Sequence, residues 1–412
     1  MAMTPDSGNQ TAMPPNDPAA PRMAVIAWLC HNLVVGCLMG SFSVMLASVE
    51  QRMGVTRAQS SSVGGLVMFG SALMGSFVGP LIARKSLRML LLAGALASLL
   101  GYLLLAFTNS YGLYVGSYLL LFGPSMALTG SIGPATLVTR WFGRNRGVAM
   151  GLVHVNLVVA VMPLLSNWML EQYGARSVYL LMATIVGVTL IPATLAARDH
   201  PPGVGPGAPE SAGGGSGPGV ATILRAPAFW ALALTAGAVI TGIMTMTFNM
   251  VPIAQSLGFT RMQGAMMASS QSVAGMIGSI LFGWVADRIG GGRGLALVSF
   301  NMAVLLAVLQ LRLPFPAEMA VVALFGMHGA GMIPNITRAL ARALGRDSFS
   351  RAFGLQQAVS VPMTILGIAA MGQSFTRTGG YQSALLGVAA LLAVCALLAL
   401  WASRQSADDG PA

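Results

Sequence analysis

Charge is what this chain has least of. Only 8% of its 412 residues are Asp, Glu, Lys or Arg, against roughly 25% in a soluble domain, so there is too little polar surface to keep a globule dissolved. Acids are the scarcer sign. All eleven fall in tails, connections or the ends of apolar runs: Asp6, Asp17, Glu50, Glu171, Asp199, Glu210, Asp287, Glu318, Asp347, Asp408 and Asp409. A carboxylate relay through the middle of a membrane is excluded unless Glu50 or Glu318 dips inward.

Cysteine is nearly missing too. Cys30, Cys37 and Cys395 show neither metal-ligand spacing nor a disulfide framework, and read as small buried packing groups. Residues 1–22 lack the basic n-region and h-region of a cleaved signal peptide. They are polar and proline-bearing, as expected of a disordered cytoplasmic tail. The sequence contains no P-loop, G-x-S-x-G, H-E-x-x-H or Cys/His cluster, so ATP-driven transport and familiar enzyme chemistry have no residues to work with. The expectation is a non-enzyme with no cofactor and no metal. The net charge of +11 is spread over short basic clusters between apolar runs, which points to lipid and away from nucleic acid.

Hydrophobic residues make up 55% of the chain. They gather in runs of the roughly 20 residues that a helix needs to cross the hydrocarbon core. These lie near 23–49, 60–83, 89–108, 112–138, 147–169 and 177–197, then 227–256, 264–286, 294–313, 317–340, 351–373 and 381–403. The fold expected is an all-α membrane protein of twelve transmembrane helices in two pseudo-symmetric six-helix bundles, 23–197 and 225–403. A Pro, Gly and Ser-rich linker at 198–224 joins them, and 404–412 forms a second cytoplasmic tail.

The halves share a repeat. Gly54-Val55-Thr56-Arg57-Ala58-Gln59 returns as Gly258-Phe259-Thr260-Arg261-Met262-Gln263, and the same offset of 204 residues pairs Gly79 with Gly283 and Arg84 with Arg288. Parallel six-span repeats build one large class of transporter, which makes transport the leading function. Arg52, Arg57, Arg176, Arg261, Arg312 and Arg377 fall on one side and the remaining basic residues on the other, so the positive-inside rule puts both termini in the cytoplasm of a multi-pass inner-membrane protein.

Polar side chains inside spans are the site candidates. Helical spacing aligns His328, Gly331, Asn335, Arg338 and Arg342 in span 10; Thr241, Thr245 and Asn249 in span 7; Ser125, Thr129, Gly133, Thr136 and Arg140 in span 4; and Asn32, Gly36, Gly40 and Ser43 beside His31 in span 1. Spans 5, 8 and 11 add His154, Asn156, Gln271, Gln356 and Gln357. Expected substrate contacts are Asn249, Gln271, His328, Asn335 and Gln357, then Asn32, Thr129 and Thr245. His328, His31 and His154 are candidates for proton coupling, since an imidazole takes either charge state near neutral pH. The competing reading is structural: such groups also hydrogen-bond neighbouring helices, and glycines admit close packing.

Twelve spans, a central linker and two equivalent halves resemble the major facilitator superfamily. Its cytoplasmic loop motif is similar to Gly283-Trp284-Val285-Ala286-Asp287-Arg288-Ile289-Gly290 and Arg293. The first-half loop, Gly79-Pro80-Leu81-Ile82-Ala83-Arg84-Lys85, has Ala83 in place of the Asp. The resemblance implies a conformational gate at Gly283, Asp287, Arg288 and Arg84. Within the superfamily the chain looks most like the monocarboxylate transporter and oxalate:formate antiporter branch, on Gly54 to Arg57, the loop Trp141 to Gly151 and Ala226-Pro227-Ala228-Phe229-Trp230. It departs where that branch carries charge: Gly275-Met276-Ile277-Gly278-Ser279 replaces an Asp and Arg pair, Ser41 stands for a Lys, span 11 has no Lys, and Met162-Pro163 occupies the antiporter motif.

The resemblance thus implies a monomeric secondary carrier that moves a small organic solute, first a monocarboxylate-like anion, by alternating access. It would be driven by a proton or counter-anion gradient. The alternatives are a multidrug or metabolite exporter and a non-transporting receptor with the same fold.

Overall fold

The computed structural model describes residues 18–142, 146–202, 219–345 and 348–408. Most of the glycine-rich linker and part of the Trp141 to Gly151 loop lie outside them. Among the described residues twelve helices are long and apolar enough to cross a membrane. Spans 1 to 6 are Ala20–Met53, Arg57–Ile82, Leu87–Phe107, Tyr111–Trp141, Val148–Tyr173 and Ala175–Leu195. Spans 7 to 12 are Pro227–Ser256, Arg261–Ile289, Gly291–Leu311, Phe315–Leu344, Arg351–Thr378 and Gln382–Arg404. The protein is all-α and passes the membrane many times.

The repeated hexapeptide has a physical meaning. Gly54 and Gly258 both hold positive φ, 65° and 94°, conformations that a glycine enters without a Cβ penalty. Two residues on, the hydroxyls of Thr56 and Thr260 accept from the backbone N–H of Gln59 and Gln263, whose side chains accept in return from the Thr N–H groups. Each copy is therefore a left-handed turn followed by a reciprocal capping box. It ends one span and starts the next at the same place in each half.

Two apolar cores form. One draws its buried members from spans 1 to 6 and Ala197 just past them, and from the other half takes Phe248, Val251 and Ile368; the other lies within 223–402. The three exceptions mark where the halves touch. Spans 1 and 7 meet through the edge-to-face pair Phe42 and Phe248, centroids 4.7 Å apart. Span 2 meets span 11 where added Cβ atoms on Gly65 and Gly372 would press on Ile365 and on Ser61 and Ala58. Span 5 meets span 8 at Asn167 and Met262. All these contacts lie at mid-height or at the end away from Ala20 and Asp408, here the distal end. Toward the terminal end Gly79, Gly151, Gly283 and Gly354, one on each of spans 2, 5, 8 and 11, face open space. The halves close on each other distally and part toward the termini.

Besides span 6, which has a π segment at Val186–Leu190, three spans are irregular. Span 4 contains wide π turns at Ser117–Phe122 and Met126–Ser131, span 5 is interrupted between Val153 and Leu157, and span 10 between Gly329 and Met332. The 204-residue offset places the span 10 interruption on the second π segment of span 4. Such departures from regular winding cluster at functional sites.

Candidate substrate cleft

Four polar stripes read from the sequence resolve, almost entirely, into seams between helices of the same half. In span 1, Asn32 Nδ2 donates to the Val155 carbonyl at 3.1 Å and its Oδ1 accepts from Val158 N–H. Gly36 and Gly40 let Val158 and Met162 come so close that a Cβ would overlap them. In span 4, Thr129 donates to the Leu91 carbonyl at 2.9 Å and Ser125 pairs with Ser98 at 2.6 Å, both on span 3. In span 7, Thr245 bonds its own helix while its methyl lies against Gly367 of span 11.

The span 10 stripe packs toward spans 8 and 9. His328 lies 5.0 Å from the Phe282 ring. Its Nδ1 is 2.8 Å from the Leu324 carbonyl and its Nε2 is 3.0 Å from Asn301 Nδ2. A carbonyl only accepts, so Nδ1 carries the hydrogen and Nε2 accepts from the amide. Both nitrogens have a protein partner. Asn335 is fully buried, donates to the Gly331 carbonyl at 2.7 Å and presses its Oδ1 on Gly294 of span 9. The structure thus places Asn335, Thr129, Thr245 and Asn32 in helix seams, with His328 partly buried against spans 8 and 9. Close packing in lipid requires small residues and bonded polar groups at the same helical spacing.

Asn249 and Gln271 are intermediate. Asn249 donates to the Thr245 carbonyl and Gln271 to the Thr247 hydroxyl, yet Asn249 Oδ1 and Gln271 Oε1 are buried without a partner. Gln357 is exposed. Helical spacing puts it near the face of span 11 that carries Ile365, Ile368 and Gly372.

Across the cleft, the interrupted span 5 builds the most distinctive polar cluster. Asn156 restarts the helix by accepting from Val159 N–H at 3.1 Å. The freed Val155 carbonyl takes hydrogen bonds from Asn32 and from Trp28 Nε1, the latter at 3.0 Å. His154, exposed at the break, has its ring 4.6 Å from that of His31. His154 Nδ1 donates to the Met150 carbonyl at 2.8 Å and His31 Nδ1 to the Gly130 carbonyl at 2.6 Å, in the last π turn of span 4. Both anchors are carbonyls, so each Nε2 is left with its lone pair and, among the described residues, no protein partner. The sequence named His31 and His154, but their meeting depends on the break, whose signal was Asn156 as a helix cap behind a His-Val pair.

The acids stay near the ends. Glu50 pairs with Arg57, and the buried Glu318 accepts from Leu313 N–H at 2.8 Å. In the last turn of span 8, Asp287 forms an ion pair with Arg338, which also donates to the Gly283 carbonyl at 3.3 Å. Arg288 lies 3.8 Å over the Trp284 ring and Arg84 is exposed.

Comparison with known proteins agrees with this architecture. The chain is 26% identical over 383 residues to monocarboxylate transporter 13 of Bos taurus, covering 90% of this chain and 86% of that one. It is 22% identical over 361 residues to the uncharacterized MFS-type transporter YcxA of Bacillus subtilis, covering 83% and 85%. A solved bacterial homolog of the human lysosomal transporter Spinster, inward-facing and unoccupied, superposes with a TM-score of 0.72 at 14% identity, over 97% of this chain and all of that one. The profile of the Major Facilitator Superfamily matches residues 28–312 and again 244–411. Spanning both halves and the repeat that relates them, that match shows that the chain belongs to the Major Facilitator Superfamily.

Proposed function

We propose that this transporter carries a small monocarboxylate-like anion by alternating access, with His31 and His154 as the site that couples anion to proton. The observation that carries this reading is the imidazole pair at the span 5 break, bordering the open cleft with two unpartnered Nε2 atoms. No Lys or Arg occupies the middle of the spans, so a proton taken up here is the means of providing a positive charge for a carboxylate. Protonation turns one Nε2 into a donor. The second ring, 4.6 Å away, resists a like charge and remains an acceptor. Span 7 has no ionisable group, and Tyr118 and Arg140 of span 4 lie roughly 15 Å or more along the helix from Gly130.

Gln357 completes the cleft from the opposite half. Discontinuous helices that offer backbone groups at a central site are a recurrent transporter device, and the curated relatives named monocarboxylate transporter favour the carboxylate class. With the termini in the cytoplasm, the orientation that the distribution of basic residues favours, the cleft opens inward. Uptake of labelled lactate into proteoliposomes under an imposed pH gradient tests the reading. Saturable uptake that follows the gradient, and loses its pH dependence in His31→Asn, is expected. Absence of uptake or counterflow with any small carboxylate, together with drug resistance on expression, sinks it in favour of an exporter.

A further inference from the structure

The two halves treat one helix start differently. In the first half, span 3 begins at Leu87 and the carboxylate of Asp199, just past span 6, sits on its first turn. Oδ1 accepts from Arg88 N–H at 2.9 Å and from Ser86 Oγ at 3.0 Å, and Oδ2 accepts from Leu87 N–H at 3.1 Å. The arrangement satisfies amides that have no partner within the helix and places negative charge at the positive end of its dipole.

The 204-residue offset carries Leu87 to Gly291, which begins span 9, and Asp199 to Ser403 on span 12. The carboxylate is gone. Ser403 turns its hydroxyl to the Leu400 carbonyl, and no side chain caps the start of span 9. In its place is a cavity of about 150 Å³, lined among others by Gly290, Gly291, Gly292, Arg293, Arg342 and Ser403.

The charges have changed in the complementary sense. Arg293 and Arg342 stand where the first half has Met89 and Val138, while Arg88 and Arg198 have become Gly292 and Ala402. The second half therefore loses its built-in anion, brings two guanidinium groups to the space left, and trims the neighbouring side chains that would fill it.

We infer that this cavity binds an oxyanion of the phosphate class, seated on the first-turn amides of span 9 between Arg293 and Arg342, in the place that Asp199 fills in the first half. Arginine suits this group because its planar donors match phosphate oxygens in pairs. Glycines at 290–292 let the ligand approach the backbone closely, as at other helix starts that bind phosphate. The cavity lies where spans 9, 10 and 12 end, at the level of lipid headgroups, so a phospholipid phosphate and a soluble phosphate share the required chemistry. The site is separate from the cleft and does not depend on which solute is carried.

Thermal unfolding of the purified full-length protein in detergent tests this. One arm adds inorganic phosphate against chloride at matched ionic strength; the other adds phosphatidylglycerol against phosphatidylcholine in mixed micelles. A ligand of the folded state raises the midpoint saturably. A rise with phosphate assigns a soluble source, and a rise with phosphatidylglycerol alone assigns a headgroup. Arg293→Gln with Arg342→Gln should weaken the response on the order of tenfold or more. Ser403→Asp should raise the midpoint without added anion and abolish the response, because it restores the internal carboxylate. Asp199→Asn should lower stability and leave the response intact. No stabilisation of the unmodified protein in either arm, or a response unchanged in Ser403→Asp, overturns the inference.

Discussion

Arg57 Nη1 donates to the Tyr381 hydroxyl at 3.0 Å, joining the start of span 2 to the turn before span 12. The same guanidinium lies 4.8 Å over Phe375 and is held from its own half by Glu50, with Nη2 donating to Oε2 at 2.9 Å. The repeat has Arg261 in the place of Arg57, but Ala254 stands where Glu50 should be, so this distal bolt exists on one side only. Burial pushes the Tyr381 phenol up to about 12, with the nearby Arg57 limiting the rise. Its free value is about 10. The raised value means that the contribution of this proton to stability is present in full below pH 10 and lost as pH rises toward 12.

Tyr381→Phe removes one bond and keeps Glu50 and Phe375 in place. The expected cost to distal closure is about 1 kcal/mol, or roughly fivefold in the open-to-closed ratio. A cysteine introduced at Ala58 reports it through its maleimide labelling rate, and the three native cysteines are buried. An unchanged rate refutes the role of the bond.

Gly372 permits the tightest distal approach. A Cβ there would stand 2.3 Å from Ser61 Oγ and 2.7 Å from Ala58 Cα. Gly372→Val should hold the halves apart distally, raise labelling at Ala58 more than Tyr381→Phe does, and suppress transport. Normal turnover in this variant would show that the contact does not close the cleft.

Asn32 splices the break in span 5. Asn32→Leu leaves the Val158 N–H without its side-chain acceptor and the Val155 carbonyl with Trp28 alone, so the expected loss is about 1–3 kcal/mol. Circular dichroism melts measure it, with Asn32→Asp as the variant that retains the acceptor and recovers part of the loss.

His328 and His31 differ in what their Nε2 atoms meet. His328→Gln should lower thermal stability by about 1 kcal/mol and leave the pH profile of uptake in place. His31→Asn should flatten that profile with a smaller effect on melting. The opposite pattern would return the proton to span 10.

The twelve spans were legible because runs of apolar residues have no alternative to a helix in lipid. The repeat showed through because a left-handed turn and a capping box need particular residues: glycine, then threonine and glutamine three apart. The seams were not legible for a physical reason. Asn335 beside Gly331, and Asn32 four residues before Gly36, have the spacing of a substrate-facing stripe, and a helix that packs on a neighbour needs the same spacing. Which neighbour lies on that face is a tertiary fact. The pairing of His31 with His154 was equally hidden, since it requires span 5 to stop winding at Val153 and span 4 to present the Gly130 carbonyl from a π turn.

The interruption in span 5 also bears on how the chain is assembled. A segment whose backbone is completed by the amide of Asn32 cannot settle in lipid alone without leaving polar groups bare, at a cost of several kcal/mol each. Span 1 leaves the ribosome more than a hundred residues earlier and is already in the bilayer when span 5 emerges. Order of synthesis therefore supplies the partner before it is needed. A chain rearranged so that span 5 is made first would have to wait for its own repair, and it should be the form that quality-control proteases remove.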